Sequence, residues 1–169
     1  MKTKSITRLS ILLTVALILG YFENLIPLNA SIPGVKLGLS NTVLMYAIYM
    51  INIKDAFILM ILKVILSGIL FAGVSGAIYS FAGGLLSLIM MIVIKKVPDV
   101  SIIGVSVVGA VFHNVGQIAM ASLVVENKYI FFYLPVLLIS AVTTGVLTGI
   151  IAKYTLKALS SNNISTYIK

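Results

Sequence analysis

An all-α bundle of membrane-crossing helices is the fold class that this 169-residue sequence predicts, and three observations predict it. Hydrophobic residues make up 60% of the chain and charged residues only 9%, whereas a soluble surface carries about a quarter to a third charged residues. Mean hydropathy is +1.18. Apolar runs approaching 20 residues recur along the chain, enough at about 1.5 Å per residue to cross a hydrocarbon core roughly 30 Å thick. The cations, finally, gather between those runs. Because lipid offers no water to backbone groups, helices are the spanning structures, and nothing in the chain alternates as a barrel strand would.

Six spans are expected, in one domain covering residues 1–169. The first is 6–26, closed by Pro27 and followed by the turn-rich loop LNASIPGVK; more spans follow it and no small-residue cleavage site does, so it reads as a retained helix rather than a signal peptide. The second, 37–53, and the third, 56–72, are separated only by Lys54 and Asp55. The fourth, 77–94, follows a GVSG turn and ends at Lys95, Lys96, Val97 and Pro98. The fifth is 101–125 and the sixth 130–152, joined across Glu126, Asn127 and Lys128. The polar tail 159–169 reads as frayed.

Alternating sides from an inside N-terminus puts Lys2, Lys4, Arg8, Lys54, Lys95, Lys96, Lys153, Lys157 and Lys169 on the cytoplasmic face, against Lys36 and Lys128 outside. That bias places both termini in the cytoplasm. It also accounts for the net charge of +8 without a nucleic-acid partner, while offering anionic lipid headgroups a basic rim. Cysteine is absent, which excludes disulfides, thiolate chemistry and cysteine-ligated metals.

Polar residues inside apolar spans are costly and mark interior faces or cavities. His113 is the one histidine and falls mid-span in the fifth run; Gln117, one turn on, shares its face, and Asn114 is turned about 100° away. Either they are hydrogen-bonding glue between helices or they meet a ligand. Lys63 is the one cation deep in a span; it either snorkels to the cytoplasmic headgroups or faces an anionic ligand, since no acidic residue lies mid-span. Glu23 ends the first helix, Asn41 opens the second, and Tyr79 and Ser80 open the fourth, all in the outer half. An outward-facing cavity is the expected arrangement, over a nearly aliphatic cytoplasmic half. The loop with Asn29, Pro33, Gly34 and Lys36 is either a solvated connection or a lid over that cavity. Ser10 and Thr14 on one face of the first helix, and Ala16 and Gly20 on another, space small residues for close helix approach. Paired carboxylates, an aspartate-rich metal motif, a phosphate-binding glycine loop and a nucleophile–base pair are all missing from the sequence, so neither a catalytic set nor a metal or cofactor site is expected.

The blocks RLSILLTVALILGYFENLIP, IPGVKLGLSNTVLMYAIY, GAIYSFAGGLLSLIMM, GVSVVGAVFHNVGQI and FYLPVLLISAVTTGVLTG resemble bacterial membrane proteins labelled heptaprenyl diphosphate synthase component I, or the Gx transporter family. The resemblance covers about residues 5–158. That family is similar to the substrate-binding S components of energy-coupling factor (ECF) importers, six-helix proteins of the bacterial plasma membrane. It implies that the loop after the first helix closes over a small solute and that small residues of that helix meet a coupling subunit driven by two ATPases. Ser10 and Thr14 stand where S components often carry an alanine pair. On this resemblance Lys63, His113, Asn114, Gln117, Asn41, Tyr79, Ser80 and Glu23 bind the solute, an anionic one being favoured by Lys63. The family label implies an alternative, a non-catalytic membrane partner of a soluble prenyl synthase in making the menaquinone side chain.

Overall fold

A computed structural model describes residues 3–26 and 37–159, and these are helical throughout apart from short connections. The helices are α1 (Thr3–Leu25), α2 (Leu39–Met50), α3 (Ile53–Ser67), α4 (Gly73–Ile94), α5 (Ile102–Val124) and α6 (Leu134–Leu159). A π-helical turn, Gly68–Ala72, links α3 to α4, and a 3-10 turn, Lys128–Tyr133, leads into α6. Helical elements follow one another without a gap from Ile53 to Ile94 and from Lys128 to Leu159, and counted in this way the described residues hold four helical segments long and apolar enough to cross a membrane. The 12-residue α2 is not among them. At about 1.5 Å per residue it reaches only ~18 Å.

Helix α2 is shorter than the expected span 37–53 because both of its ends are set by local conformation that hydropathy does not register. Gly38 enters it at φ 75°, a left-handed value that suits glycine, and its carbonyl accepts from Asn41 N–H at 2.8 Å. The chain leaves the helix at Ile51, and Asn52 caps α3 by accepting from Asp55 N–H at 2.7 Å. The break therefore sits at Ile51 and Asn52, and Lys54 and Asp55, expected to separate two spans, form the first turn of α3. Asp55 there complements the positive end of the helix dipole and also accepts from Ser5 Oγ at 3.4 Å, which ties the start of α1 to this turn.

The long run from Ile53 to Ile94 doubles back on itself. Gly73 has φ 68° and ψ 178°, a combination open essentially to glycine. Beyond it α4 packs along α3: a Cβ on Gly68 would lie 2.6 Å from Ala77 Cβ, and one on Gly84 3.3 Å from Met60 Sδ. The reversal begins four residues earlier than expected, since the GVSG segment forms the first turn of α4.

Helices α4, α5 and α6 pack closely because glycine removes the side chain at each crossing. A Cβ on Gly116 would meet Ala82 O at 2.8 Å, and Cβ atoms on Gly145 and Gly149 would meet the Cα atoms of Val107 and Ile103 at 2.8 Å. Such backbone approach is how helices associate without a hydrophobic driving force. Leu44, Met45, Leu59, Met60, Leu88 and Met91 are among the large buried residues of the main core, and Ile118 with Leu137 forms a smaller one. The exposed residues are mostly aliphatic or aromatic, as a lipid-facing surface requires.

Candidate functional site

A cavity of about 100 Å³ lies among the helices, lined by residues of all six and by the turn after α3. One water needs roughly 10–15 Å³ by this measure, so the space suits several waters or a small solute. Glu23, Gly38 and Phe71 line it where α1 finishes and α2 begins, Thr148 of α6 stands beside Gly38, and Met91 and Ser106 belong to the same wall.

Where α2 begins, the Lys63 ammonium donates to Asn41 Oδ1 at 2.6 Å, joining α3 to the first turn of α2. The contact joins two of the residues that the sequence assigns to the site. Lys63 lies ten residues along α3, about 15 Å from Ile53, a long way for snorkelling to that end. Beside it the buried Glu23 carboxylate accepts from Gly38 N–H at 2.6 Å. Glu23 thus fastens the end of α1 to the left-handed turn that opens α2.

His113 and Asn114 line the cavity from α5. A Cβ on Gly83 would come 2.6 Å from the His113 carbonyl and 3.3 Å from its ring Cε1, so the bare backbone of α4 is what leaves room for the imidazole. Asn114 Nδ2 donates to Leu137 O at 2.9 Å, which bonds α5 to α6 and leaves its Oδ1 as an acceptor. Ser80 lines the cavity as well. Gln117 and Tyr79 are not among the lining residues; Gln117 Cγ packs instead where a Gly83 side chain would stand, at 2.7 Å.

Hydroxyl residues that the sequence reading does not single out also stand in the cavity wall. Ser87, Ser106, Thr144 and Thr148 all line the cavity, with Ser106 Oγ and Thr148 Oγ1 3.0 Å apart. Isolated hydroxyls in apolar helices carry no periodic signal, and most satisfy themselves on their own helix, so sequence alone does not single them out. Of the first-helix residues, Ala16 and Gly20 line the cavity, whereas Ser10 and Thr14 are exposed on the opposite face. The loop residues Asn29, Pro33, Gly34 and Lys36, and nearly all of the tail 159–169, lie outside the described residues. Among the described residues no group of three or more His, Cys, Asp or Glu is placed to hold a metal ion.

A second, larger hollow of about 870 Å³ runs along the outside of α1, α2 and α6. Ile11, Leu12, Val15, Leu19 and Val43 make its walls apolar, while Lys4 and Arg8 stand at the end where α1 begins.

The model of the heptaprenyl diphosphate synthase component I family matches residues 12–155, nearly the whole described bundle. The chain belongs to that family. Every residue lining the cavity falls inside the matched segment, whereas Ser10 falls outside it. As a component I member the chain thus carries the cavity within its family-defining part. No curated protein and no solved structure matches it.

Proposed function

We propose that this protein is a solute-binding membrane component of an ECF-type importer, taking a small solute into the cavity between its helices. The observation that carries the reading is the cavity itself, where a lysine, a histidine, a carboxylate, three asparagine side chains and several hydroxyls meet inside an otherwise apolar bundle. Polar groups at this density exceed what helix packing alone calls for. Lys63 favours an anionic group on the solute, with His113, Asn41, Asn114, Ser80 and Glu23 around it and Gln117 and Tyr79 as supports. In this reading the hairpin of α3 and α4 counts as two spans and α2 as a short one. The single domain then has six spans, both termini on the cytoplasmic side of a bacterial plasma membrane, and the loop of Asn29, Pro33, Gly34 and Lys36 as its gate. The exposed Ser10 and Thr14 face would meet the coupling subunit, which is driven by ATPases; this part rests on the motif resemblance to S components.

Equilibrium dialysis of the purified protein against a small-molecule extract tests the reading. A solute enriched by the wild type and reduced at least tenfold in Lys63→Ala and His113→Ala is expected. Equal enrichment in all three proteins would contradict it.

The family description favours a second reading, a non-catalytic membrane component working with a soluble prenyl synthase, and one observation suits it. The apolar hollow with Lys4 and Arg8 at one end has the shape and charge for a chain with an anionic head. Copurification of a soluble prenyl synthase, with synthase activity lost on deleting this chain, is the result it requires.

A further inference from the structure

The opening turn of α2 anchors two side chains of opposite charge. Gly38 N–H donates to Glu23 Oε1 at 2.6 Å, and three residues on, Asn41 Oδ1 accepts from the Lys63 ammonium at 2.6 Å. Asn41 N–H in turn donates to Gly38 O at 2.8 Å, which fixes the two anchors against each other. Positions three apart on a helical turn are neighbours, about 5–6 Å from one another, so the carboxylate and the ammonium belong to one end of the cavity that both residues line. Glu23 is only 8% exposed, and a buried carboxylate is costly unless its oxygens are paired. It has about four acceptor positions, of which Gly38 N–H takes one among the described residues.

We infer that Glu23 and Lys63 together select a zwitterionic solute, whose ammonium meets the Glu23 carboxylate while its carboxylate meets the Lys63 ammonium. The inference rests on the reading of this cavity as a solute site and narrows that solute from an anion to a molecule with no net charge. Among the described residues the lining carries one carboxylate and one ammonium, and His113 is its only other titratable side chain. A purely anionic solute would satisfy Lys63 but set a second negative charge beside Glu23, and a purely cationic one would reverse the conflict. A zwitterion meets both. It also supplies the charged donor that the buried Glu23 carboxylate calls for, which a site with Lys63 alone would not require.

Glycine, 3-aminopropionate and 4-aminobutanoate test this, each paired with the acid that lacks its amino group (acetate, propionate and butanoate) and titrated at neutral pH against the full detergent-solubilised chain. The three amino acids cover a range of spacings between the two charges. The wild type should bind at least one of them about tenfold to a hundredfold more tightly than its parent acid, the value of a hydrogen bond to a charged group. Glu23→Gln removes the charge yet keeps an oxygen for Gly38 N–H, so it should close that gap while the unfolding midpoint stays near wild type. A carboxylate that merely fastened α1 to α2 would leave the gap as it was. Lys63→Met should weaken the amino acid and the acid alike. Equal wild-type affinity within every pair, or a preference that survives Glu23→Gln, overturns the inference, and the solute reading stands as long as binding still depends on Lys63. Binding indifferent to Lys63→Met removes the solute reading itself. If none of the six probes binds, the inference falls, and enrichment from the small-molecule extract alone decides the solute reading.

Discussion

Replacing Asn41 by leucine takes the oxygen away from the Lys63 ammonium while keeping side-chain volume close to constant. The lost contact is a 2.6 Å charge-assisted hydrogen bond between α3 and the first turn of α2. Hydrogen bonds to charged groups contribute about 1.5–3 kcal/mol, and the part-buried setting of this pair points to the lower end, about 1.5 kcal/mol. For a chain of 150–250 residues that corresponds to roughly 3–6 °C in unfolding midpoint. Lys63→Met removes the partner and the charge together, so the double variant should be less destabilised than the sum of the two single ones, by about 1 kcal/mol or more. Thermal unfolding of the four detergent-solubilised proteins gives the cycle directly. Strict additivity, or an Asn41→Leu midpoint within about 1 °C of wild type, would refute the pairing and with it the Lys63 part of the proposed site.

Glycine positions should divide by what a methyl group would strike. Gly83→Ala places Cβ 2.6 Å from a backbone oxygen of α5 and should cost about 1–3 kcal/mol by overpacking, whereas Gly20→Ala, with its nearest neighbour at 4.0 Å, should leave the midpoint unchanged. Lys95, which donates to Ile48 O at 2.7 Å and lies 4.5 Å from the Tyr49 ring, has its pKa lowered from 10.5 by burial. A lowered lysine pKa means that the folded state binds fewer protons than the unfolded one between the two values, so stability rises with pH across that window. The midpoint of wild type relative to Lys95→Met should accordingly increase as pH rises toward 10.5, and a flat difference would contradict it. Because the chain contains no cysteine, single cysteines at the exposed positions Tyr129 and Lys96 report sidedness cleanly. An impermeant thiol reagent added outside whole cells should label Tyr129→Cys and spare Lys96→Cys; the reverse pattern would invert the proposed topology.

Much of the architecture was open to sequence reasoning because composition and charge placement act over whole segments. Residues 101–125 were expected as a span and Ile102–Val124 is the helix observed, since Ser101 caps it and the apolar run carries it through. The second span differs from its expected bounds for a local reason: Ile51 is as apolar as its neighbours, and only its backbone conformation ends α2. The site divides similarly. His113, Lys63, Asn41, Asn114, Ser80 and Glu23 were conspicuous as polar groups in apolar surroundings, and all of them line one cavity. Gln117 was equally conspicuous, yet the missing side chain of Gly83 gives it a packing place on α4, a relation between two helices that one-dimensional spacing does not contain. Ser106 and Thr148 lie 42 positions apart and are unremarkable singly; only the close α5–α6 crossing at Gly145 and Gly149 brings their hydroxyls to 3.0 Å.

The proposed function requires that the cavity hold a small polar molecule, and native mass spectrometry of the purified protein, released from mild detergent, measures that most directly. A retained small-molecule mass on the wild type, absent from Lys63→Met and His113→Ala variants that keep wild-type unfolding cooperativity, is the predicted result. A wild-type protein that flies bare from every preparation, or a mass retained equally by both variants, would contradict it.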